Sequence, residues 1–263
     1  MRYQEFTPSP RLRPIVEKYW ILEGTALGGE WEYVLPDGRA ELIFHYAEPF
    51  ARRTHDSRVE VQPRAMFVGQ ITAPACLQPR GMAGVAAIRL RPEATGLFGP
   101  TAAEITNRFE ALDRLARTDF VLEQLAGAAH DRERIEALER FLSTVLRAAP
   151  RRDVAFAIDC LVRRGGALSI ETLATMTGVA RRQLERRFHS DVGLSPKSFA
   201  RVLRVNRAAR LVLSHASFAD VAAACGYFDQ AHMSNDFRQL IQRSPHEWRR
   251  MAGTLGSFFV GAA

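Results

Sequence analysis

The chain has 263 residues, of which 47% are apolar and 25% are charged, as in ordinary globular proteins. It has no apolar run of ~18–20 residues that would span a membrane, no apolar signal stretch at its start, and only three cysteines, too few for a disulfide framework. The sequence therefore predicts a cytoplasmic protein of two domains with no membrane partner.

The positive charge of the chain is concentrated in residues 151–250. These residues hold 17 Lys and Arg against 9 Asp and Glu, whereas residues 1–150 hold 19 against 20. Such asymmetry indicates a polyanion as the partner of one domain. A basic surface that serves only solubility is the alternative explanation.

Short strands between Pro and Gly turns are predicted for residues 1–110. Residues 30–35 alternate in part and run into the turn 36–38, and residues 40–46 are rich in aromatic and branched side chains. Further candidates are residues 65–69 and 84–90. This pattern favours an antiparallel barrel or sandwich over a parallel sheet.

Two helices are predicted after the strands. The first begins near Thr118 and Asp119, and the second begins near Asp131 and carries an apolar stripe. The stripe is explained equally by packing on the protein's own sheet and by a dimer interface. It consists of Ile135, Leu138, Leu142, Val145 and Leu146.

A domain boundary is predicted at residues 148–152, after which the chain reads as helical. The predicted units are a first domain at residues 1–150, a helical domain at 151–252 and a tail at 253–263. The fold class is therefore α+β with two domains.

An internal repeat of about 49 residues is the strongest pattern in the helical domain. Counted from Phe188 and from Phe237, both copies have Ser-Pro at the seventh and eighth positions, an aromatic residue at the eleventh and Arg at the thirteenth. Identical offsets in two copies indicate two related structural units.

Each copy has the features of a helix-turn-helix unit. In the first copy, Ser169 is a candidate cap, Gly178 permits the positive φ of a tight turn, and Leu184 and Phe188 form a buried pair. The second copy repeats these features with Ser217, Asp220, Ala222, Gly226, Met233 and Phe237.

The second helix of such a unit enters the major groove of DNA. Arg can bond guanine or neutralise phosphate, Gln and Asn can read adenine, and Ala can touch a thymine methyl group. A solvated helix face is the alternative for any one of these residues. The predicted contacts are Arg181, Arg182, Glu185, Arg186 and His189 in the first copy and Gln230, Ala231, His232, Ser234 and Asn235 in the second.

A long helix is predicted between the two copies, over residues 196–213. Its ~25 Å length can hold two recognition helices about one DNA turn, ~34 Å, apart. Its apolar stripe includes Phe199, Val202, Leu203, Leu211 and Val212. Four arginines are expected to be exposed near the phosphate backbone, namely Arg201, Arg204, Arg207 and Arg210.

The run FADVAAACGYFDQAHMSNDFR at 218–238, which closes on Ser244 and Pro245, resembles the AraC/XylS family of bacterial transcription regulators. The resemblance implies a seven-helix DNA-binding domain that contacts two successive major-groove segments. The base readers that it implies are Arg182, Glu185, Arg186, Gln230, Ala231, His232 and Asn235. Three residues depart from the family pattern and weaken inference base by base: Ala180 replaces a capping Ser or Thr, Gln242 a Gly, and Asn235 a frequent Arg.

The first 150 residues resemble, less specifically, the sensor domains of such regulators, through residues 33–38, 41–44, 67–69, 90–92 and 97–99. The resemblance implies a small antiparallel β-barrel of the cupin type with two helices, which binds an effector and often dimerises. The candidate effector-binding residues are Trp31, Arg39, Glu41 and His45, although aromatic strand residues are more commonly core.

No cofactor, metal site or enzymatic activity is predicted. His45 and His55 are ten residues apart, no His-x-His occurs, and no catalytic triad, phosphate loop or dinucleotide motif is present. The expected partners are double-stranded DNA on the nucleoid, a small-molecule effector, RNA polymerase if the protein is an activator, and a second copy. Two alternatives stay open: a first domain that binds a protein and no small effector, and a metal-dependent cupin enzyme with a DNA-binding appendage.

Overall fold

The computed structural model describes residues 1–25, 31–54, 56–114, 116–214 and 216–251. Glu30 of the first predicted strand, His55 and the predicted tail at 253–263 lie outside these ranges. The strands are β1 Arg2–Phe6, β2 Val16–Thr25, β3 Glu32–Val34, β4 Glu41–His45, β5 Ala51–Arg53, β6 Val59–Val61, β7 Ala65–Val68, β8 Ala75–Gln78, β9 Met82–Leu90 and β10 Phe109–Ala111. The helices are α1 Ala102–Ile105, α2 Asp119–Gly127, α3 Asp131–Val145, α4 Arg152–Arg163, α5 Ile170–Thr177, α6 Arg181–Val192, α7 Pro196–Val212, α8 Phe218–Ala224, α9 Gln230–Ile241 and α10 Pro245–Met251, with 3-10 turns at Pro92–Leu97 and Leu112–Arg114.

The strands form two antiparallel sheets. Their orders are β1-β2-β9-β4-β7-β10 and β3-β8-β5-β6. The predicted barrel is therefore corrected, because the described strands do not close into one cylinder. Among the described strands, the edge strands β1 and β10 of the larger sheet do not pair with the edge strands β3 and β6 of the smaller one, so the ladder of hydrogen bonds that a barrel needs is interrupted. The prediction of an α+β chain with an antiparallel first domain and a helical second domain is confirmed.

Alternation along β4 separates the two faces of the larger sheet. Leu42 and Phe44 point to one face and are fully buried, whereas Glu41, Ile43 and His45 point to the other. On the first face, the ring of Phe44 meets the ring of Phe141 edge to face, with 5.1 Å between centroids. The second face borders a cavity.

The helices α2 and α3 cover the first face of this sheet. Leu138 and Leu142 of the predicted apolar stripe are fully buried in the core of the N-terminal domain, and Ile135 and Leu146 pack at its margin. The stripe thus packs on the protein's own sheet, as the first of the two explanations predicts.

The helices α4 to α10 enclose a second core. Phe188, Phe199, Phe237 and Trp248 are fully buried in it, and the Trp248 indole N–H donates to the Ala209 carbonyl at 3.0 Å. Phe199 and Trp248 occupy equivalent positions of the repeat, so both copies anchor an aromatic side chain in one shared core. The limits 1–150 and 151–252 for the two domains remain a proposal.

Residues 33–38, here called the strap, belong to the N-terminal domain and pack against the helical domain. Leu35 is buried in the core of the helical domain, and the Asn206 side-chain amide donates to the Pro36 carbonyl at 3.3 Å. Gly38 has a φ of +79°, and a Cβ atom on it would lie 2.7 Å from the ring of Phe199. Only glycine permits both this conformation and this close approach to α7.

Two further observations concern sites and membranes. No helix in the described ranges is both long and apolar enough to cross a bilayer. Among the same residues, no group of three or more His, Cys, Asp and Glu is arranged to hold a metal ion.

Candidate nucleic-acid interface

The first helix-turn-helix unit consists of α5 and α6. The Ser169 hydroxyl oxygen accepts from the backbone N–H of Thr172 at 3.1 Å and caps α5, which ends at Gly178 with a φ of +65°. Leu184 and Phe188 are fully buried on the inner side of α6. The predicted cap, turn and buried pair are all confirmed.

The outer face of α6 carries most of its predicted DNA-contacting residues. Four of them are exposed, namely Arg181, Arg182, Arg186 and His189. Arg181 is paired with Glu171 and with the half-buried Glu185, whose Oε1 lies 3.0 Å from the guanidinium. Within the described ranges, Arg182 and Arg186 have no such carboxylate partner. These two arginines are therefore better prepared than Arg181 to meet bases or phosphates.

The second unit consists of α8 and α9. The Ser217 hydroxyl accepts from the Asp220 backbone N–H at 3.1 Å and donates to the Asp220 carboxylate at 2.6 Å. The predicted capping-box pair is formed, but the carboxylate bonds the hydroxyl and not the backbone. Asp229 caps α9 by accepting from the His232 backbone N–H at 2.6 Å. This cap was not predicted.

The outer face of α9 presents Gln230, Ala231, His232 and Asn235 to solvent, with Ser234 half-buried beside them. The His232 ring lies edge-on to the buried Tyr227 ring, with 5.2 Å between centroids. This contact holds the imidazole at the first turn of the helix. Met233 and Phe237 are fully buried behind this face, as predicted.

Phe228 is a candidate contact that the sequence interpretation missed. Its side chain is 93% exposed and stands immediately before the capping residue of α9. The sequence feature that could have identified it is the pair of adjacent aromatic residues, Tyr227 and Phe228, in the turn before α9. Tyr227 is buried, and its neighbour is left in solvent. An exposed phenyl group at the start of a recognition helix can contact an apolar base edge such as a thymine methyl group.

The helix α7 joins the two units. Its four arginines were all expected to be exposed, and two of them are not. Arg204 is half-buried rather than exposed as predicted: its guanidinium donates to the Gly166 carbonyl at 3.0 Å and lies 5.3 Å from the ring centre of Tyr227. Arg201 is likewise engaged with Asp236 of α9 at 2.7 Å. Arg207 and Arg210 are exposed as expected. Long side chains allow the first two arginines to reach neighbouring helices, which a helical projection of α7 alone does not reveal.

Comparisons with known proteins agree with this architecture. Residues 173–251 match a family model described as a helix-turn-helix domain, and residues 4–110 match a domain of unknown function, DUF6597. The HTH-type transcriptional regulator MtrA of Neisseria gonorrhoeae is 31% identical over 86 residues, which are 32% of this chain and 29% of that protein. The HTH-type transcriptional activator RhaS of an Enterobacter species is 35% identical over 85 residues, 32% of this chain and 30% of that protein. An AraC-type DNA-binding-domain regulator of Chromobacterium violaceum has a solved structure that is 30% identical and covers 40% of this chain and 95% of its own, with a TM-score of 0.37.

This chain belongs to the AraC family. The AraC-family chain also shares its two-domain fold with ToxT of Vibrio cholerae, at a TM-score of 0.50 and 11% identity over 89% of this chain and 98% of that structure. Its alignments span less than a third of the length of the curated relatives named above.

The N-terminal domain of this AraC-family chain contains a cavity of about 120 Å³ between its two sheets. Two of the four predicted effector-binding residues, Glu41 and His45, line it. Trp31 is instead stacked under the Arg53 guanidinium at 4.2 Å, and Arg39 is paired with Glu17 outside the cavity. The structure therefore brings together half of the predicted set.

Burial determines the protonation of the two cavity residues. Burial raises the pKa of the Glu41 carboxyl, although Arg89 at 2.9 Å opposes this effect. Burial lowers the pKa of His45 to about 4, so the imidazole is neutral near pH 7. Gln62, which was not predicted, lies 3.2 Å from the His45 Nε2 atom.

Proposed function

We propose that the chain is a sequence-specific DNA-binding transcription regulator that couples a signal at its N-terminal domain to promoter binding. The observation that carries this proposal is the pair of helix-turn-helix units, α5–α6 and α8–α9, joined by the single helix α7. Each unit exposes polar and cationic side chains on its second helix, while residues 151–250 have 17 Lys and Arg against 9 Asp and Glu.

The proposed base readers are Arg182 and Arg186 on α6 and Gln230, His232 and Asn235 on α9, because their side chains are exposed at the start or middle of each helix. Arg181, Glu185, His189, Ala231 and Ser234 complete the proposed contact surface, with Arg207 near the phosphate backbone. We add Phe228 to this surface. Arg204 acts in this proposal by holding α7 against neighbouring elements.

The strap is the proposed route from signal to DNA. Val34, Leu35 and Asp37 line the cavity, and Leu35 is also part of the core of the helical domain. At the other end of the strap, the Arg243 guanidinium lies 5.6 Å from the ring centre of Tyr33, directly after α9. A ligand that moves the strap would thus act on α7 and on the end of α9.

The remaining partners and the location are also proposals. RhaS is named a transcriptional activator and MtrA a transcriptional regulator, and neither name describes an enzyme. On this basis we propose activation, with RNA polymerase as a partner, in the cytoplasm on the nucleoid. A homodimer and the absence of enzymatic activity remain predictions. So do the alternatives of a protein-binding first domain and of a metal-dependent enzyme.

The test of the proposed function is selection of DNA from a random duplex pool by the full-length chain. We expect a motif with two half-sites about 10 base pairs apart, and affinity that falls steeply with salt while sequence preference is retained. Recovery of no motif, or equal affinity for selected and random duplexes at every salt concentration, would overturn the proposal.

A further inference from the structure

The cavity between the two sheets has the size of a site for one small ring. This cavity measures about 120 Å³, somewhat less than the ~150 Å³ of an apolar protein cavity that holds one benzene molecule, so it has room for no more than one small ring. Trp20, Phe50, Leu77 and Phe109 contribute aromatic and aliphatic wall from both sheets. A flat apolar ring matches such walls better than an extended polar chain does.

In the described part of the chain, three buried polar atoms of cavity-lining residues have no hydrogen-bond partner. One is Arg89 Nε, which lies 3.5 Å from the Glu17 carboxylate, and the other two belong to a contacting pair of residues. His45 and Gln62 contact each other through Nε2 and Oε1 at 3.2 Å, which leaves His45 Nδ1 and Gln62 Nε2 unpaired. Both residues are more than nine-tenths buried. Leaving a buried polar group unpaired costs free energy, so a ligand that bonds the two unpaired atoms of this pair recovers that cost on binding.

The chemistry of this pair does not depend on how its protons are assigned. If the His45 Nε2–H donates to the Gln62 carbonyl oxygen, Nδ1 is left as an acceptor and the Gln62 amide N–H as a donor. If the amide is flipped and donates to Nε2, the unpaired atoms become an Nδ1–H donor and a carbonyl acceptor. In both arrangements the pair of His45 and Gln62 offers one donor and one acceptor to a ligand. A single hydroxyl or carboxamide group can bond both.

The charged residues of the lining exclude an ionised ligand. Lys18 lies 2.5 Å from Glu5, and Arg89 is paired with both Asp37 and Glu41. Each cation and each carboxylate that lines the cavity in the described part of the chain thus already has a partner of opposite charge, so neither an anionic nor a cationic ligand meets a free counter-charge. Burying a further unpaired charge carries a large desolvation cost.

We propose that this cavity binds a small uncharged ring compound whose single hydroxyl or carboxamide group bonds His45 and Gln62. The inference rests on the proposed function, because it names the chemical class of the signal that the N-terminal domain receives. The apolar walls bind the ring, and the polar pair selects the substituent.

The test measures binding of four matched probes to the full-length chain by calorimetry: phenol, benzamide, benzoate and benzylamine. Phenol and benzamide are expected to bind, and benzoate and benzylamine at least about tenfold more weakly, a difference of ~1.4 kcal/mol. Binding of benzoate or benzylamine as tightly as benzamide would overturn the inference, and so would a Kd above about 10 mM for both neutral probes. This comparison uses only the unmodified chain.

A variant then tests the polar pair. Gln62→Met keeps the side-chain volume and removes the amide, so it should weaken benzamide about tenfold and leave benzene binding unchanged. Gln4→Met, on the exposed strand β1, is the matched control and should change neither. Equal benzamide affinity in Gln62→Met and the unmodified chain would contradict the assignment. None of these measurements involves DNA, so the two proposals fail separately. Selection of a DNA motif without binding of any probe would overturn this inference alone. Binding of the neutral probes without selection of a DNA motif would overturn the proposed function alone.

Discussion

Three helices in the described part of the helical domain end on a cap residue in the left-handed conformation, which is glycine after α5 and α6 but glutamine after α9. Gly178 after α5 has a φ of +65°, and Gln242 after α9 has a φ of +58°. A residue with a Cβ atom in this region costs about 1–2 kcal/mol relative to its ordinary conformations, whereas glycine adopts it readily. The departure from the family pattern at Gln242 is therefore a site of backbone strain.

Substitutions at these two positions should change stability in opposite directions. A Cβ atom at Gly178 would meet no atom within 4 Å, so Gly178→Ala tests the backbone alone and should lower the melting temperature by about 2–4 °C. Gln242→Gly should raise it by a smaller amount, since glycine also gives the unfolded chain more freedom. Thermal melts followed by circular dichroism measure both changes, and two shifts of the same sign would contradict this account.

The buried imidazole of His45 should make the protein less stable in mild acid. Its pKa is lowered from 6.5 to about 4 by burial, so below pH 6.5 the unfolded chain binds a proton that the folded chain does not. Stability from this group is complete above pH 6.5 and is lost as the pH falls toward 4, by at most ~1.4 kcal/mol per pH unit.

Urea titrations at pH 7 and pH 5 measure this effect. Between these values the unmodified chain should lose about 2 kcal/mol that His45→Gln does not lose. His246→Gln, at an exposed position on α10, is the control and should keep the full pH dependence. Identical pH dependence in His45→Gln and the unmodified chain would show that burial does not control this group.

At the scale of elements, the helical repeat was predictable because its signals are local. Ser169, Gly178, Leu184 and Phe188 act within a few residues of one another, so their spacing in sequence is their spacing in space. The strand β2 was not predicted, because charged residues interrupt its apolar pattern. They are tolerated there through partners far away in sequence: Lys18 pairs with Glu5 of β1, and Glu23 with Arg134 of α3.

The same difference between local and tertiary signals explains why the exposed faces of the two recognition helices were predicted better than the lining of the cavity. The faces of α6 and α9 follow from helical periodicity, whereas Gln62 enters the cavity through tertiary pairing with His45. The sheets were predicted to close into a barrel and do not, because closure depends on pairing between strands that are distant in sequence. Sequence alternation specifies the faces of a strand but not its neighbours.

The contact between α7 and α9 is the element-scale feature that fixes the second recognition helix. Arg201 donates twice to the Asp236 carboxylate, at 2.7 and 3.0 Å, and the Asp236 side chain is only 7% exposed. Asp236→Ala should destabilise the chain by about 2–4 kcal/mol, since it leaves the partly buried Arg201 guanidinium without a carboxylate and, in the described part of the chain, with only the Gln239 side chain as a partner. Asp159→Ala, which removes a half-exposed partner of Arg91, is the matched control and should cost less than ~1 kcal/mol. Chemical denaturation distinguishes the two, and equal losses would contradict a special role for the contact.

At the scale of the whole molecule, the strap is one of the places where the N-terminal domain packs on the helical domain. Another joins the 3-10 turn and α1 after β9 to the end of α6, where the Thr106 hydroxyl donates to the Gly193 carbonyl at 3.0 Å. Gly38→Ala combines a φ of +79° with a Cβ atom 2.7 Å from the Phe199 ring, so it should lower stability by about 2–3 kcal/mol and shift the melting transition to lower temperature. Gly127→Ala at the end of α2, where a Cβ atom meets nothing within 4 Å, should have no such effect. Calorimetric melts measure both variants. An unshifted transition in Gly38→Ala would mean that the strap does not pack on the helical domain.

The central claim is that two helix-turn-helix units read two separate segments of one DNA site. The most direct measurement is the affinity of the full-length chain, Arg182→Ala and His232→Ala for every single-base variant of the selected duplex. Each substitution should relax discrimination by about 1–3 kcal/mol at a few base pairs, and the two affected segments should lie about 10 base pairs apart. Arg132→Ala, on the exposed face of α3, should leave the whole profile unchanged. A uniform loss across all positions, or loss at the same base pairs in both variants, would contradict the claim.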